Sequence, residues 1–252
     1  MVPRFVPAIA AVLCCSLPFA TGAADEGCTI HVPGDHATIQ EALDAAVDGC
    51  TILVAPGTYA GSLNRNLDFQ GKEVLLRGTG GAAATVIDCQ LAGRGFEFRN
   101  AETSAAVVEG FTVTNGFTLA FPPGENKGAG VLCVNGSSPT IRDCVLVRNE
   151  GYEGAGMHCD GGAAHIINTR FEENGLVYQA FRGGGLDCIN TTAVAVTNCE
   201  FIANNACCAA MGGGIALTRS TAAITGCRFD RNRSEGGGGI ACMDGSSATV
   251  GW

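Results

Sequence analysis

The chain has 252 residues and a formal net charge of −9, with 46% hydrophobic and 15% charged residues. This composition is too apolar for a disordered chain, and the acidic balance argues against nucleic acid as a partner because phosphate binding needs a basic face. The 37 glycines are unusual for a helical protein and indicate many turns. The 14 cysteines make it important whether the protein works in an oxidising or a reducing compartment.

Residues 1–24 predict a cleaved signal peptide. Arg4 provides the positive start, Phe5 to Ala20 the apolar stretch, and Thr21-Gly22-Ala23 a small-residue cleavage site. We therefore expect a secreted or cell-envelope protein whose mature chain has no transmembrane span. In that compartment cysteines can form disulfides.

The mature chain, residues 25–252, is predicted to be one domain that begins with a cap. Cys28 to Val32 predicts a strand, residues 37–48 a helix, and Thr51 to Ala55 a second strand. Thr38 and Glu41 have the spacing of a capping box, which satisfies the first free backbone N–H groups of the helix.

The segments Thr38–Ala46 and Ile52–Tyr59 resemble the opening of proteins with the pectin-lyase-like right-handed β-helix fold. The resemblance implies a strand–helix–strand segment that covers the first coil of a solenoid. Covering is needed because an end coil exposes apolar core and unpaired edge groups. Cys28 and Cys50 flank this cap and are candidates for a disulfide, whose connectivity the sequence leaves open.

Less regular coils follow the cap. Short strands are predicted between glycine or polar turns at Val74–Leu76, Thr85–Asp88, Phe96–Phe98 and Ala106–Val108. Gly116 to Lys127 is predicted to be a loop that leaves the solenoid wall.

Residues 128–252 repeat one pattern with a period of 25–29 residues, which is the signature of a repeat architecture. Each copy begins with a glycine-rich start, at Gly128–Val131, Gly154–Met157, Gly183–Leu186, Gly212–Ile215 and Gly237–Ile240. Four copies end in asparagine, at Asn149, Asn174, Asn204 and Asn232. The fifth copy stops after a predicted strand, so the sequence is expected to be a truncated piece of a longer protein.

Equivalent positions in the copies predict columns along a parallel solenoid, where neighbouring strands lie about 4.8 Å apart. One predicted interior column is Cys133, Cys159, Cys188, Leu217 and Cys242, and another is Leu146, Phe171, Phe201 and Phe229. The asparagines predict a hydrogen-bonded ladder at a tight corner, and the glycines a close approach to the next coil. The fold class is therefore an all-β right-handed parallel β-helix with a short N-terminal capping helix.

Most cysteines are predicted to be buried thiols that act as small apolar side chains. No metal or cofactor is expected, because no Cys-x-x-Cys pair occurs and the chain has only 4 histidines. Cys207 and Cys208 fall in a loop between coils and are candidates for a reactive or disulfide-bonded pair.

The segments Phe171–Asn174, Phe201–Asn204 and Phe229–Asn232, which alternate with the glycine starts, are similar to repeats of the chlamydial polymorphic outer membrane proteins. This second resemblance implies a cell-surface passenger or adhesin. It covers about half of the chain.

His158 and Asp187, in adjacent coils, and Asp160 beside them are the candidate catalytic residues, because a histidine between carboxylates can act as an acid or base. The alternative is an ordinary solvated face, since the same position in other coils is Leu132, Ala216 or Ala241.

These observations favour a non-enzymatic secreted or surface protein that binds an extracellular polysaccharide or a host or cell-surface protein. One alternative is a polysaccharide lyase, hydrolase or esterase with a site near the loops Phe117–Lys127 or Leu176–Arg182. Only in that case would Ca²⁺ be expected. A passive spacer for a C-terminal module is a third interpretation.

Overall fold

Three short strands and the corners between them make up each coil, and successive coils stack in parallel register. The structure is a computed structural model that describes residues 27–177 and 180–252. The predicted signal peptide, residues 1–24, lies outside this part of the chain. The right-handed parallel β-helix predicted from the sequence is confirmed.

The strands form three long parallel sheets. Sheet 1 has seven strands, Leu67–Asp68, Phe96–Phe98, Val131–Cys133, Met157–Asp160, Leu186–Ile189, Ile215–Thr218 and Ile240–Met243. Sheet 2 has nine, Thr29–Val32, Thr51–Val54, Leu75–Gly78, Val107–Glu109, Thr140–Arg142, His165–Ile167, Val194–Thr197, Thr221–Thr225 and Ser247–Gly251. Sheet 3 has seven, Gly57–Tyr59, Thr85–Asp88, Thr112–Thr114, Val145–Val147, Arg170–Glu172, Glu200–Ile202 and Arg228–Asp230.

The loops that lead from sheet 3 back to sheet 1 pair with one another as well. Ala180–Arg182 and Ala206–Met211 form a small two-stranded sheet. Isolated bridges join Lys127 to Glu153 and Glu153 to Arg182. The loops therefore form a row of their own beside the solenoid, which we call the loop ladder.

The N-terminal cap contains the α-helix Ile39–Ala45, followed by a 3₁₀ turn at Ser62–Asn64. Thr38 is the N-cap, and both hydrogen bonds of the capping box with Glu41 are present. The helix is shorter than the predicted 37–48, because Ala46 is already extended at φ −69° and ψ 153°. Cys28 and Cys50 are joined by a disulfide beneath this cap.

The two predicted columns are buried except in the last coils, where Phe229 is only partly buried and Cys242 is exposed because no further coil covers it in the structure. Cys133, Cys159 and Cys188 are in register, fully buried and present as free thiols. The rings of Phe171 and Phe201 stack with centroids 4.6 Å apart and planes 5° apart. Phe229 continues the stack at 5.0 Å from Phe201.

The predicted asparagine ladder is present at the end of sheet 3. Asn149 Nδ2 donates to Asn174 Oδ1 at 3.1 Å, and Asn174 Nδ2 donates to Asn204 Oδ1 at 2.9 Å. The corner itself differs from the expectation. The left-handed backbone belongs to the preceding residue, for example Glu173 at φ 52°, so the asparagine serves as a hydrogen-bonding group.

Each regular coil contributes separate strands to sheets 2 and 3, for example Thr140–Arg142 and Val145–Val147. They are separated by a corner at Asp143, whose φ is 54°. One left-handed residue is enough to redirect the chain.

A glycine at each start allows close stacking of the coils. A Cβ at Gly185 would lie 2.6 Å from the Gly214 carbonyl oxygen in the next coil. Any side chain there would therefore push the coils apart. In the described part of the chain, no helix is long and apolar enough to cross a membrane.

Candidate functional site

The outer face of sheet 1 is covered by the loop ladder, and the candidate site lies between the two. The glycine starts bring each loop against the strand that follows it. A Cβ at Gly183, for instance, would lie 2.7 Å from Asp187 Cβ. The outward side chains nearest the loops, such as His158, Asp187 and Ala216, are therefore enclosed rather than solvated.

His158 and Asp187 occupy neighbouring positions on this covered face. They are in register in adjacent strands, and both are 0% exposed. His158 Nδ1 lies 2.9 Å from Asp187 Oδ2, within hydrogen-bonding distance. The structure thus brings together two of the three predicted catalytic candidates, and the alternative of an ordinary solvated face is wrong because the loops cover it.

Three charged side chains of the loop ladder, which are 12–22% exposed, adjoin this buried pair, and we call the five residues the buried charge cluster. Lys127 Nζ lies 3.0 Å from Glu153 Oε2, and Arg182 Nη2 lies 2.7 Å from Glu153 Oε1. Arg182 Nε is 3.7 Å from Asp187 Oδ1. Burial opposes ionisation of Glu153, but the bond from Lys127 and the charge of Arg182 outweigh it and lower the pKa of that carboxyl.

The cluster offers the right atoms for a metal ion but is already balanced in charge. Glu153, His158 and Asp187 each provide a ligand atom, and these atoms lie within 4.8 Å of one another. Two carboxylates face two resident cations, Lys127 and Arg182, so a divalent ion would have to displace one of them. The donor set therefore fits a closed ion-pair network better than a metal site.

An open cleft of about 440 Å³ lies beside this cluster. His158 lies against this cleft but has no solvent-exposed surface, while Arg99, Asn135 and Asp160 contribute polar side chains to its walls. Asp160, the third predicted candidate, accepts a hydrogen bond from Asn190 Nδ2 at 3.0 Å and forms no hydrogen bond or ion pair with His158 or Asp187. We call this cavity the polar cleft.

A buried arginine fixes the rim of the polar cleft. Arg94 is 1% exposed; its Nη1 donates to Glu97 Oε1 at 2.8 Å, and its Nη2 donates to the carbonyl oxygens of Glu125 and Lys127. The guanidinium also lies 4.8 Å from the centre of the Phe121 ring. Burial lowers the pKa of Arg94, and the bond to Glu97 opposes that shift. The predicted loop Gly116–Lys127 is thus held to the wall at several points.

Sequence reasoning found His158 and Asp187 but missed the residues that neutralise them. The signal was present, since Lys127, Glu153 and Arg182 each stand immediately before a glycine start and alternate in charge. Arg94 gives no such signal, because it lies in the irregular coils. The side chains of Cys207 and Cys208 lie outside the described part of the chain.

Comparison with known proteins identifies the architecture. A family profile described as right handed beta helix region matches residues 73–251. No curated protein matches the chain as a relative. The chain is similar to the crystal structure of the pectate lyase Pel9A, with 15% identity, a TM-score of 0.42, and 88% of this chain and 76% of that chain covered. It is also similar to the pectin methylesterase of Aspergillus niger in deglycosylated form, with 13% identity, a TM-score of 0.38, and 90% and 87% covered.

Proposed function

Because this chain belongs to the right-handed β-helix family, we propose that it uses the fold as a non-enzymatic binding surface that holds an extended carbohydrate in the polar cleft. One observation carries the proposal. The two side chains best suited to acid–base chemistry, His158 and Asp187, are 0% exposed and bonded to each other beside the cleft. A general acid or base must come within hydrogen-bonding reach of the proton that it transfers.

The polar groups of the cleft suit recognition because they are fixed in place. Arg99 Nε donates to Glu97 Oε2 at 2.7 Å, and Asn135 Nδ2 donates to the Arg99 carbonyl oxygen at 3.0 Å. Side chains that are already ordered lose little conformational entropy when a ligand binds. Sugar hydroxyls can donate to the carboxylates and accept from the amide and guanidinium groups.

The test is a binding and turnover panel on the purified protein. Insoluble and soluble polysaccharides are incubated with the wild type, and both depletion of protein and release of reducing ends or unsaturated products are measured. We expect depletion by at least one polysaccharide without product. Asp160→Ala should weaken this binding, whereas Asp230→Ala, a strand aspartate of sheet 3 far from the cleft, should not.

Product release that disappears in Asp187→Asn, while the variant keeps the wild-type circular dichroism spectrum, would overturn the proposal in favour of a polysaccharide-active enzyme. His158→Gln provides a second check if the aspartate variant does not fold. Binding to a cell-surface protein and to no polysaccharide would also overturn it.

We also propose that the protein is exported and works at the cell surface or outside the cell, as a surface passenger or adhesin. The Cys28–Cys50 disulfide supports an oxidising compartment, and residues 1–24 have the pattern of a signal peptide. N-terminal sequencing of the protein recovered from its host should begin just after the Thr21-Gly22-Ala23 stretch. Recovery of a chain that still begins at Met1 would contradict export by cleavage.

A further inference from the structure

An exposed pair of aromatic rings stands on the loop ladder. Tyr152 and Phe181 belong to adjacent coils, and they are 42% and 38% exposed. Their rings stack with centroids 5.2 Å apart and planes 1° apart. Unlike the stacked phenylalanines of the interior, this pair presents apolar surface to solvent. We call it the aromatic platform.

The platform is held rigidly from below. Phe181 N donates to the Tyr152 carbonyl oxygen at 2.6 Å. The next residue after each ring, Glu153 and Arg182, belongs to the buried charge cluster, and these two form an ion pair at 2.7 Å. The guanidinium of Arg182 also lies 6.0 Å from the centre of the Phe181 ring. Ring positions fixed in this way need little reorganisation to accept a ligand.

The Tyr152 side of the platform adjoins the polar cleft. Tyr152 lines a second cleft of about 430 Å³ together with Pro123, Asn126, Gly124 and Lys127. Gly124 and Lys127 also line the polar cleft. A single elongated ligand that spans the two neighbouring clefts would contact both the polar groups and the Tyr152 ring.

We infer that the aromatic platform is a subsite for a neutral pyranose, whose apolar C–H face packs on the Tyr152 ring while the rest of the oligosaccharide lies in the polar cleft. This inference rests on the proposed function and specifies the ligand class. A pyranose combines an apolar face with a rim of hydroxyls, which matches rings beside polar side chains. A neutral sugar is favoured over a uronate because the protein carries a net charge of −9 and its cleft cations are already paired.

The experiment is calorimetric titration of the wild type and its variants with a neutral glucose or mannose oligosaccharide and with an oligogalacturonate of the same length. Tyr152→Leu keeps an apolar side chain but removes the ring, and Tyr152→Phe keeps the ring. We expect Tyr152→Leu to weaken binding of the neutral ligand about tenfold, as loss of one stacked ring contact predicts. Phe181→Leu removes the ring stacked on Tyr152 rather than a ligand contact, so its effect should be smaller. Tyr152→Phe should bind like the wild type, as should Leu63→Ala, an exposed leucine on the N-terminal 3₁₀ turn.

The possible outcomes distinguish failure of this inference from failure of the proposed function. Binding that weakens in Asp160→Ala but not in Tyr152→Leu would overturn the platform and leave the cleft proposal intact. Tighter binding of the oligogalacturonate than of the neutral ligand would overturn the ligand class. No oligosaccharide binding to the wild type would overturn both, and capture of a peptide on the rings, in place of any sugar, would do the same.

Discussion

The asparagine ladder gives the sharpest test of what holds the coils in register. Asn174 is fully buried, and its side chain makes four hydrogen bonds. Its Oδ1 accepts from both the backbone N–H and the side-chain amide of Asn149, each at 3.1 Å. Its Nδ2 donates to the Leu146 carbonyl oxygen and to Asn204 Oδ1, each at 2.9 Å.

Asn174→Ala removes all four bonds and leaves their partners buried. At a net value of about 1 kcal/mol for each bond, the free energy of unfolding should fall by about 4 kcal/mol. Asn100→Ala is the matched control, because Asn100 is exposed and its side chain makes one bond at 3.5 Å, to Asp68. Asn100→Ala should lower the free energy of unfolding by less than about 0.5 kcal/mol, as ordinary surface substitutions do.

Urea denaturation followed by circular dichroism measures the global effect, and amide hydrogen exchange measures the local one. The Asn149 amide should exchange faster in Asn174→Ala, since it loses its acceptor. The Asn204 amide, which donates to Asn232 Oδ1, keeps its acceptor and should be less affected. Equal midpoints for Asn174→Ala and Asn100→Ala would refute the view that the ladder stabilises the solenoid.

Three further changes probe the cap, the buried arginine and the loss of stability at low pH. Removing the disulfide with Cys28→Ser and Cys50→Ser together should lower the free energy of unfolding by about 3 kcal/mol, because the two cysteines are 22 residues apart in sequence. An unchanged midpoint of urea denaturation would contradict this. Glu97→Gln leaves the Arg94 charge buried without its carboxylate and should lower the free energy of unfolding by about 3 kcal/mol. A loss no larger than that of a surface substitution would show that the two hydrogen bonds from Arg94 to backbone carbonyls are enough to stabilise its charge. Burial of Glu102 opposes its ionisation, but bonds from a serine hydroxyl and backbone amides lower its pKa below the ordinary 4.5; its contribution is therefore present above that value and lost as the pH falls through the folded pKa. As the pH is lowered, the free energy of unfolding should therefore fall less steeply in Glu102→Gln than in the wild type. Equal slopes for the two proteins would contradict this assignment.

The sequence predicted the parts of this fold that depend on repetition. Columns such as Phe171 and Phe201 follow directly from the period, because every coil must place equivalent residues at equivalent heights. The corner between sheets 2 and 3 could not be predicted, because a single left-handed residue such as Asp143 leaves no mark in the hydrophobic pattern.

The candidate site was only half predictable, for a related physical reason. His158 and Asp187 stand out as polar residues in an apolar column, so the pattern identifies them. Their burial depends on where the loops return, which is a long-range property of the fold. Glu153 and Arg182 show this, since they reach Asp187 and its surroundings only through the bridges of the loop ladder.

The unbroken register of the sheets makes each coil an exchangeable module. Pairing runs residue for residue from Met157–Asp160 to Leu186–Ile189 and on to Ile215–Thr218. The glycine start, the interior column and the terminal asparagine together define the joint between modules, while the residues just before the glycine starts, such as Glu153 and Arg182, belong to the loop ladder and vary from coil to coil. Duplicating or deleting one complete period would therefore lengthen or shorten the solenoid, with its loop ladder, by one step of about 4.8 Å, the spacing of neighbouring strands. The number of coils can in this way change the length of the solenoid surface during evolution without changing the side chains that it presents.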